Sequence, residues 1–135
     1  MDYLIGVVLA LGTGVFGAVV GFDRERGFYP VVLVVIASYY ALFAVMGGAM
    51  GALAVEVAVM VAFVVLAVVG FRRAPWLVVA GLAGHGVLDM IHPHLVANPG
   101  VPAWWPMFCM AFDVVAAGYL AVRLVRPGRS SGLTR

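Results

Sequence analysis

The sequence predicts an all-α integral membrane protein, a bundle of five transmembrane helices with its amino end outside and its carboxyl end cytoplasmic. Three observations predict it. Of the 135 residues, 65% are hydrophobic and 10% charged, a balance that suits a chain solvated by lipid rather than water. Five apolar runs, near residues 3–22, 30–49, 52–71, 75–91 and 104–125, each approach the about 20 residues that cross a hydrocarbon layer of about 30 Å. The arginines occupy alternate connections, so five crossings gather all eight on one face, whereas four would split them.

The first run begins Met-Asp-Tyr-Leu-Ile-Gly, without the basic segment of a secretory signal, and is expected to stay as a helix. It carries Gly17-x-x-x-Gly21 with Gly14 a turn earlier, a spacing that lets helix backbones approach closely inside the bundle or across a dimer. The connection Asp23-Arg24-Glu25-Arg26 alternates in sign and reads as an interfacial anchor, with a cytoplasmic site for an anionic head group as the alternative. Pro30 suits the first turn of the second helix, where its missing N–H costs nothing. Ser38-Tyr39-Tyr40 lies near the middle of that helix, so at least one tyrosine hydroxyl is expected to hydrogen-bond within the bundle. Gly47, Gly48 and Gly51 break an otherwise continuous apolar stretch into two helices joined by a tight hairpin. Arg72 and Arg73 precede the fourth helix. Pro93 is expected to end it, which would let His94 fold back toward His92. Trp104 and Trp105 open the fifth. Residues 1–126 read as one transmembrane domain, and residues 127–135, polar and rich in Gly and Ser, as a flexible cytoplasmic tail.

Composition excludes several classes. The arginines are scattered over helix ends rather than gathered on one face, so no nucleic-acid partner is expected. The lone Cys109 excludes an intramolecular disulfide. Eight arginines without a lysine, alongside abundant Ala, Val and Gly, point to a GC-rich bacterial genome and a multi-pass protein of the bacterial inner membrane. Five short helices offer limited burial, which leaves room for a homodimer or a larger membrane complex within the lipid bilayer.

Chemistry concentrates in one stretch. All three histidines, His85, His92 and His94, lie within ten residues, with Asp89 between them. On a helix, His85, Asp89 and His92 fall at i, i+4 and i+7, one stripe that would be costly to turn toward lipid. From a rise of about 1.5 Å per residue, His85 lies roughly 10 Å below the outer boundary and Asp113 roughly 12 Å. Cys109 is one turn above Asp113, and Glu56 starts about a turn below the outer end of the third helix. Three helices therefore supply carboxylate, imidazole and thiol at overlapping depth.

The strongest chemical reading is a metal site with His85, Asp89, His92 and His94 as candidate ligands, supported by Glu56, Asp113, Cys109 and Asn98. Imidazole and carboxylate suit zinc and non-haem iron. Haem is not expected, because His85 and His92 point the same way from one helix, and no nucleotide site is expected. The structural alternative is that His and Asp satisfy one another and pin the loop of residues 92–103. Trp104 and Trp105 read as headgroup-layer anchors, or as a lid over the stripe with Asn98 touching substrate.

Asp23-Arg24-Glu25-Arg26-Gly27-Phe28-Tyr29-Pro30, together with His85-Gly-x-x-Asp89-x-x-His92-x-His94 and the following Asn98-Pro-Gly-Val-Pro-Ala-Trp-Trp-Pro, resembles a group of small, uncharacterised bacterial inner-membrane proteins. The likeness spans most of the chain and implies a location but no mechanism. His-x-x-x-Asp-x-x-His is also similar to short motifs of membrane metal enzymes, among them Brp/Blh-type carotenoid dioxygenases and ceramidase-like hydrolases. Those proteins carry further histidines on other helices, and this chain has none outside residues 85–94. The functional expectation is a metal-binding polar site near the outer face that acts on a lipid-soluble or periplasmic substrate. The alternative is a non-enzymatic subunit or transporter-like protein in which Glu56, Asp89 and Asp113 handle protons or a cation.

Overall fold

Backbone N–H and C=O groups surrounded by hydrocarbon must be satisfied within their own segment, so apolar runs of this length become helices. The structure is a computed structural model that describes residues 1–126, and it contains five α-helices: α1 (Asp2–Val20), α2 (Phe28–Met46), α3 (Met50–Arg72), α4 (Trp76–Leu95) and α5 (Trp105–Val125). The expected tail of residues 127–135 lies outside the described residues. Four of the helices, α1, α2, α3 and α5, are long and apolar enough to cross a membrane; α4 is as long, with 20 residues, but less apolar. Its histidines and Asp89 lower its apolarity, and His85, Asp89 and His92 are all buried.

The helix ends follow local chemistry. α1 stops at Gly21, which takes φ 90° and returns its N–H to the Gly17 carbonyl, a left-handed cap that glycine adopts without strain. The expected end at residue 22 is thereby shortened, and a 3₁₀ turn at Phe22–Arg24 carries the chain to α2. Pro30 is the third residue of α2, within the first turn, where no intrahelical N–H is lost. The hairpin between α2 and α3 turns at residues 47–49, with Gly48 at φ 65°. Pro106 occupies the first turn of α5.

One boundary expectation is corrected. α4 does not end at Pro93 but runs to Leu95. Proline removes one N–H from the ladder, yet the last turn closes through the Val96 N–H on the His92 carbonyl, 3.0 Å away. His94 therefore stays on the helix, exposed, and does not fold back toward His92.

The packing order differs from the chain order. α2 packs on α3, α3 on α4, α4 on α5, and α5 on α1, while α1 and α2 are joined chiefly through the 3₁₀ turn. The arc stays open between its first and last members. The contact of α1 with α5 is close because Gly6, Ala10, Gly14 and Gly17 face inward. A side chain at Gly6 would run into the Phe108 carbonyl, and one at Gly14 would lie 3.1 Å from the Tyr119 ring. The small residues of α1 are thus used within the bundle.

The interior is divided along its length. Toward the end where Arg24, Arg26 and Arg123 line one hollow, the core is apolar: Leu33, Val78, Leu82 and Leu120. Toward the end closed by the hairpin and by residues 96–104, it contains Tyr40, Glu56, His85, Asp89, His92 and Asp113. Gly47 and Gly100 meet so closely there that a Cβ on either would collide with backbone.

The Gly6→Ala substitution is expected to cost about 1–3 kcal/mol by forcing α1 off α5. Gly12→Ala, with open space around the new methyl group, is expected to stay within about 1 kcal/mol of the parent. Thermal unfolding of the two variants in the same detergent compares them directly.

Candidate functional site

The buried stripe of α4 reads Val78, Leu82, His85, Asp89, His92, at steps of four, three, four and three residues. That period holds one face of a helix against its neighbours over four turns. The stripe is apolar in its first half and polar in its second, and each polar member meets a partner from a different helix.

Two groups result. In the deeper one, His85 Nδ1 lies 2.7 Å from Asp113 Oδ2 on α5 and 3.6 Å from Asp89 Oδ2. The Tyr40 hydroxyl on α2 donates to Asp89 Oδ1 at 2.7 Å. Cys109, one turn from Asp113 on α5, completes the set, and one ligand atom from each of His85, Asp89, Cys109 and Asp113 lies within 4.8 Å of the others. The Phe63 ring packs T-shaped against His85, with centroids 5.0 Å apart.

In the group nearer the loop, His92 Nε2 is 2.9 Å from Glu56 Oε1 on α3. The Asn98 amide donates to the same oxygen at 2.8 Å and to the Tyr40 carbonyl at 3.0 Å. The Gly100 N–H in turn donates to Asn98 Oδ1 at 3.2 Å. Tyr40 joins the two groups. Its hydroxyl serves the deeper one, its carbonyl the outer one, and its ring stacks on His92 with centroids 3.8 Å apart and planes 18° apart. Stacked faces pass no proton, so the two groups touch without forming one hydrogen-bonded wire.

The ionisable members of both groups are buried. Glu56, His85, Asp89, His92 and Asp113 are all at most 3% exposed. Asp89 Oδ2 and Asp113 Oδ1 are buried, and among the described residues neither has a hydrogen-bond donor. Both acids contact the same nitrogen of His85, which carries at most one proton, so one imidazolium can balance only one of them. The second needs a proton or a cation. A buried carboxylate oxygen without a donor is costly, commonly about 1–3 kcal/mol or more.

The deeper group can hold a metal ion. Its imidazole, two carboxylates and thiol are all ordinary zinc donors. The 2.7 Å between His85 Nδ1 and Asp113 Oδ2 is a hydrogen-bond distance. Two ligands on one tetrahedral ion stand about 3.3 Å apart, from bonds of about 2.0–2.1 Å, so this pair must spread by about half an ångström to bind one.

The expected ligand set is therefore redistributed. His85 and Asp89 are together. Asp113 and Cys109, expected as supporting residues, join them within ligand distance. His92 is instead paired with Glu56, and His94 is exposed and belongs to neither group. Asn98, expected to touch substrate, clamps the loop onto Glu56. Trp105 does not cover the stripe: its ring packs on Tyr39 and Phe43, at 4.8 and 4.9 Å between centroids, and Trp104 is exposed. A bonded tyrosine was expected at residues 39–40, but sequence supplied no sign that Tyr40 reaches Asp89 rather than a backbone carbonyl. Comparison of the chain with family models, curated proteins and solved structures finds no match.

Tyr40→Phe removes only the hydroxyl donated to Asp89. Equilibrium unfolding in detergent is expected to register a loss of about 1–3 kcal/mol, since Asp89 then has neither oxygen satisfied by a donor. A change under about 0.5 kcal/mol would mean that this bond does not hold Asp89.

Proposed function

We propose that this chain is a multi-pass protein of a bacterial inner membrane that holds a divalent metal, zinc in preference to iron, between α4 and α5 and acts on a lipid-soluble substrate. The observation that carries it is the pair of donor-free oxygens, Asp89 Oδ2 and Asp113 Oδ1, within a four-residue set of ligand type. A divalent ion gives both oxygens a partner and offsets two of the three negative charges of Asp89, Asp113 and a Cys109 thiolate, which lowers the cost of the unbalanced acid beside His85.

Zinc is favoured by the donors. A thiol and a single imidazole with carboxylates suit tetrahedral zinc, whereas the common non-haem iron site needs two histidines, and His92 is engaged by Glu56. Tyr40 then acts from outside the metal shell, orienting Asp89 through its hydroxyl. A zinc ion in that position supplies Lewis-acid polarisation of a substrate oxygen or of a water. The bundle's own residues hold the ion, keep bulk water out and fix the ligand orientations.

The reading has all five helices crossing, α4 included. The outward residues of α4, Ala80, Gly84, Val87 and Ile91, are apolar, and its buried polar groups face the bundle. With Arg24, Arg26, Arg72, Arg73 and Arg123 at one end, the positive-inside rule makes that end cytoplasmic and puts the amino end and residues 96–104 outside. The metal centre then lies in the outer half. Proton or cation conduction, the competing function, needs a polar path to the arginine end. The residues on that side of His85 are Leu82, Val78 and Leu33, all apolar and buried, which disfavours a through-path.

Elemental analysis tests the proposal. Protein purified in detergent and loaded with zinc is expected to retain about one ion per chain after buffer exchange. His85→Ala and Asp113→Asn are expected to lower zinc affinity by more than the about 10–100-fold typical of losing an outer-shell partner, while remaining helical and monodisperse, and His94→Ala to bind as the parent does. Retention of no stoichiometric zinc or iron by the parent, or unchanged binding in the first two variants, would remove the metal centre.

A further inference from the structure

The open arc of helices leaves a cleft of about 750 Å³ bounded by α1, α2 and α5. We infer that this cleft admits, sideways from the bilayer, an amphiphile with one extended apolar chain, whose polar end stops at Cys109. The inference deepens the metal-centre reading by giving its substrate a side of entry and a chemical class, although occupation of the cleft needs no metal.

Position comes first. Cys109 is the one residue that both lines this cleft and belongs to the group of His85, Asp89 and Asp113. It is 3% exposed and so forms the floor rather than the rim. A molecule lying in the cleft therefore ends against the wall of the polar centre.

The walls fix the chemistry. Ile5 and Leu9 of α1, Val31 and Val35 of α2, and Phe108 and Phe112 of α5 supply apolar surface. Thr13 is the wall's one hydroxyl outside the aromatic rim, and it is spent on the Leu9 carbonyl at 2.8 Å. Away from the loop end, where Asp2, Tyr39 and the Trp104 and Trp105 indoles bring polar atoms, a water-soluble molecule would leave its hydration and meet no free donor along the walls, at a cost of several kcal/mol. An alkyl or isoprenoid chain loses nothing. From Asp2 to Thr13 the cleft follows α1 for about 16 Å, enough to lay out a chain, and its volume lies within the about 300–1,000 Å³ of ordinary ligand sites.

The direction of entry follows from what blocks the two ends. At the loop end Trp105 bridges to Tyr39 and Phe43. At the arginine end Phe28 lines the cleft, its ring T-shaped against that of Tyr29 with centroids 5.1 Å apart. Between these aromatic bridges the rim is formed by Ile5, Leu9, Val31 and Val35, each between 46% and 61% exposed, so it continues the apolar outer surface of the bundle. The other hollow at the loop end, about 520 Å³ beneath residues 96–104, is lined by His92 and by none of the deeper group. The two polar groups thus look onto different surroundings, the outer one onto the loop and the deeper one onto hydrocarbon.

Cys109 is the sole thiol of the chain, so its modification reports access to the floor directly. The full chain, stripped of metal by chelator and reconstituted in phosphatidylcholine vesicles, is treated with an N-hexadecyl maleimide or with a charged, water-soluble methanethiosulfonate. The alkyl reagent is expected to label Cys109 about tenfold faster or more, because only it can use the cleft. Val35→Trp, which narrows the mouth away from the metal ligands, is expected to slow that labelling severalfold and leave zinc stoichiometry at the parent value. Labelling by the charged reagent at an equal or higher rate, no labelling by either, or indifference to Val35→Trp overturns the lateral entrance. Loss of zinc binding with the labelling pattern intact would sink the metal centre alone.

Discussion

The structure depends on the contact between His85 and Asp113, 2.7 Å apart in the interior of an apolar bundle. Neither group can be placed there alone, because a charge or an unpaired polar group taken out of water costs several kcal/mol. Their meeting fixes the register of α4 against α5. Asp89, one turn along the same stripe, is then brought against His85 and against the hydroxyl of Tyr40. Removing one partner of such a buried pair typically costs about 3–5 kcal/mol, which makes the contact a strong constraint on helix placement even where its net contribution is small.

That constraint explains the uneven bundle. The half nearer the arginines packs through Leu33, Val78, Leu82 and Leu120, where shape alone decides the fit. The other half packs through directed polar contacts, and the loop of residues 96–104 is tied to it by Asn98, which serves Glu56 and the backbone of Tyr40 together. Tyr40 is consequently the residue that most components share: ring on His92, hydroxyl on Asp89, carbonyl to Asn98. Directed contacts on one side and an open apolar cleft on the other place Cys109 where the two meet.

Much of this was legible in the sequence, for identifiable reasons. Five helices follow from five apolar runs, and the hairpin from Gly47 and Gly48, because each signal is local. The common depth of Glu56, His85, Asp89 and Asp113 was legible from helix rise, which converts residue number into ångströms. Which residues pair was not. Depth is blind to rotation about the helix axis and to packing order, so nothing announced that His92 turns to Glu56 while His85 takes Asp113. The docking of α1 on α5 rather than on its chain neighbour α2 was equally hidden, although it creates the cleft. Pro93 misled because its effect on a helix is graded: near the end, one lost hydrogen bond did not stop the last turn.

X-ray absorption at the zinc edge of the loaded protein reads out whether His85, Asp89, Cys109 and Asp113 are the ligands of one metal ion. A shell of nitrogen and oxygen at about 2.0–2.1 Å with a single sulfur at about 2.3 Å is expected, the sulfur vanishing in Cys109→Ser. An all-oxygen shell, or a sulfur contribution that survives Cys109→Ser, would contradict that ligand set.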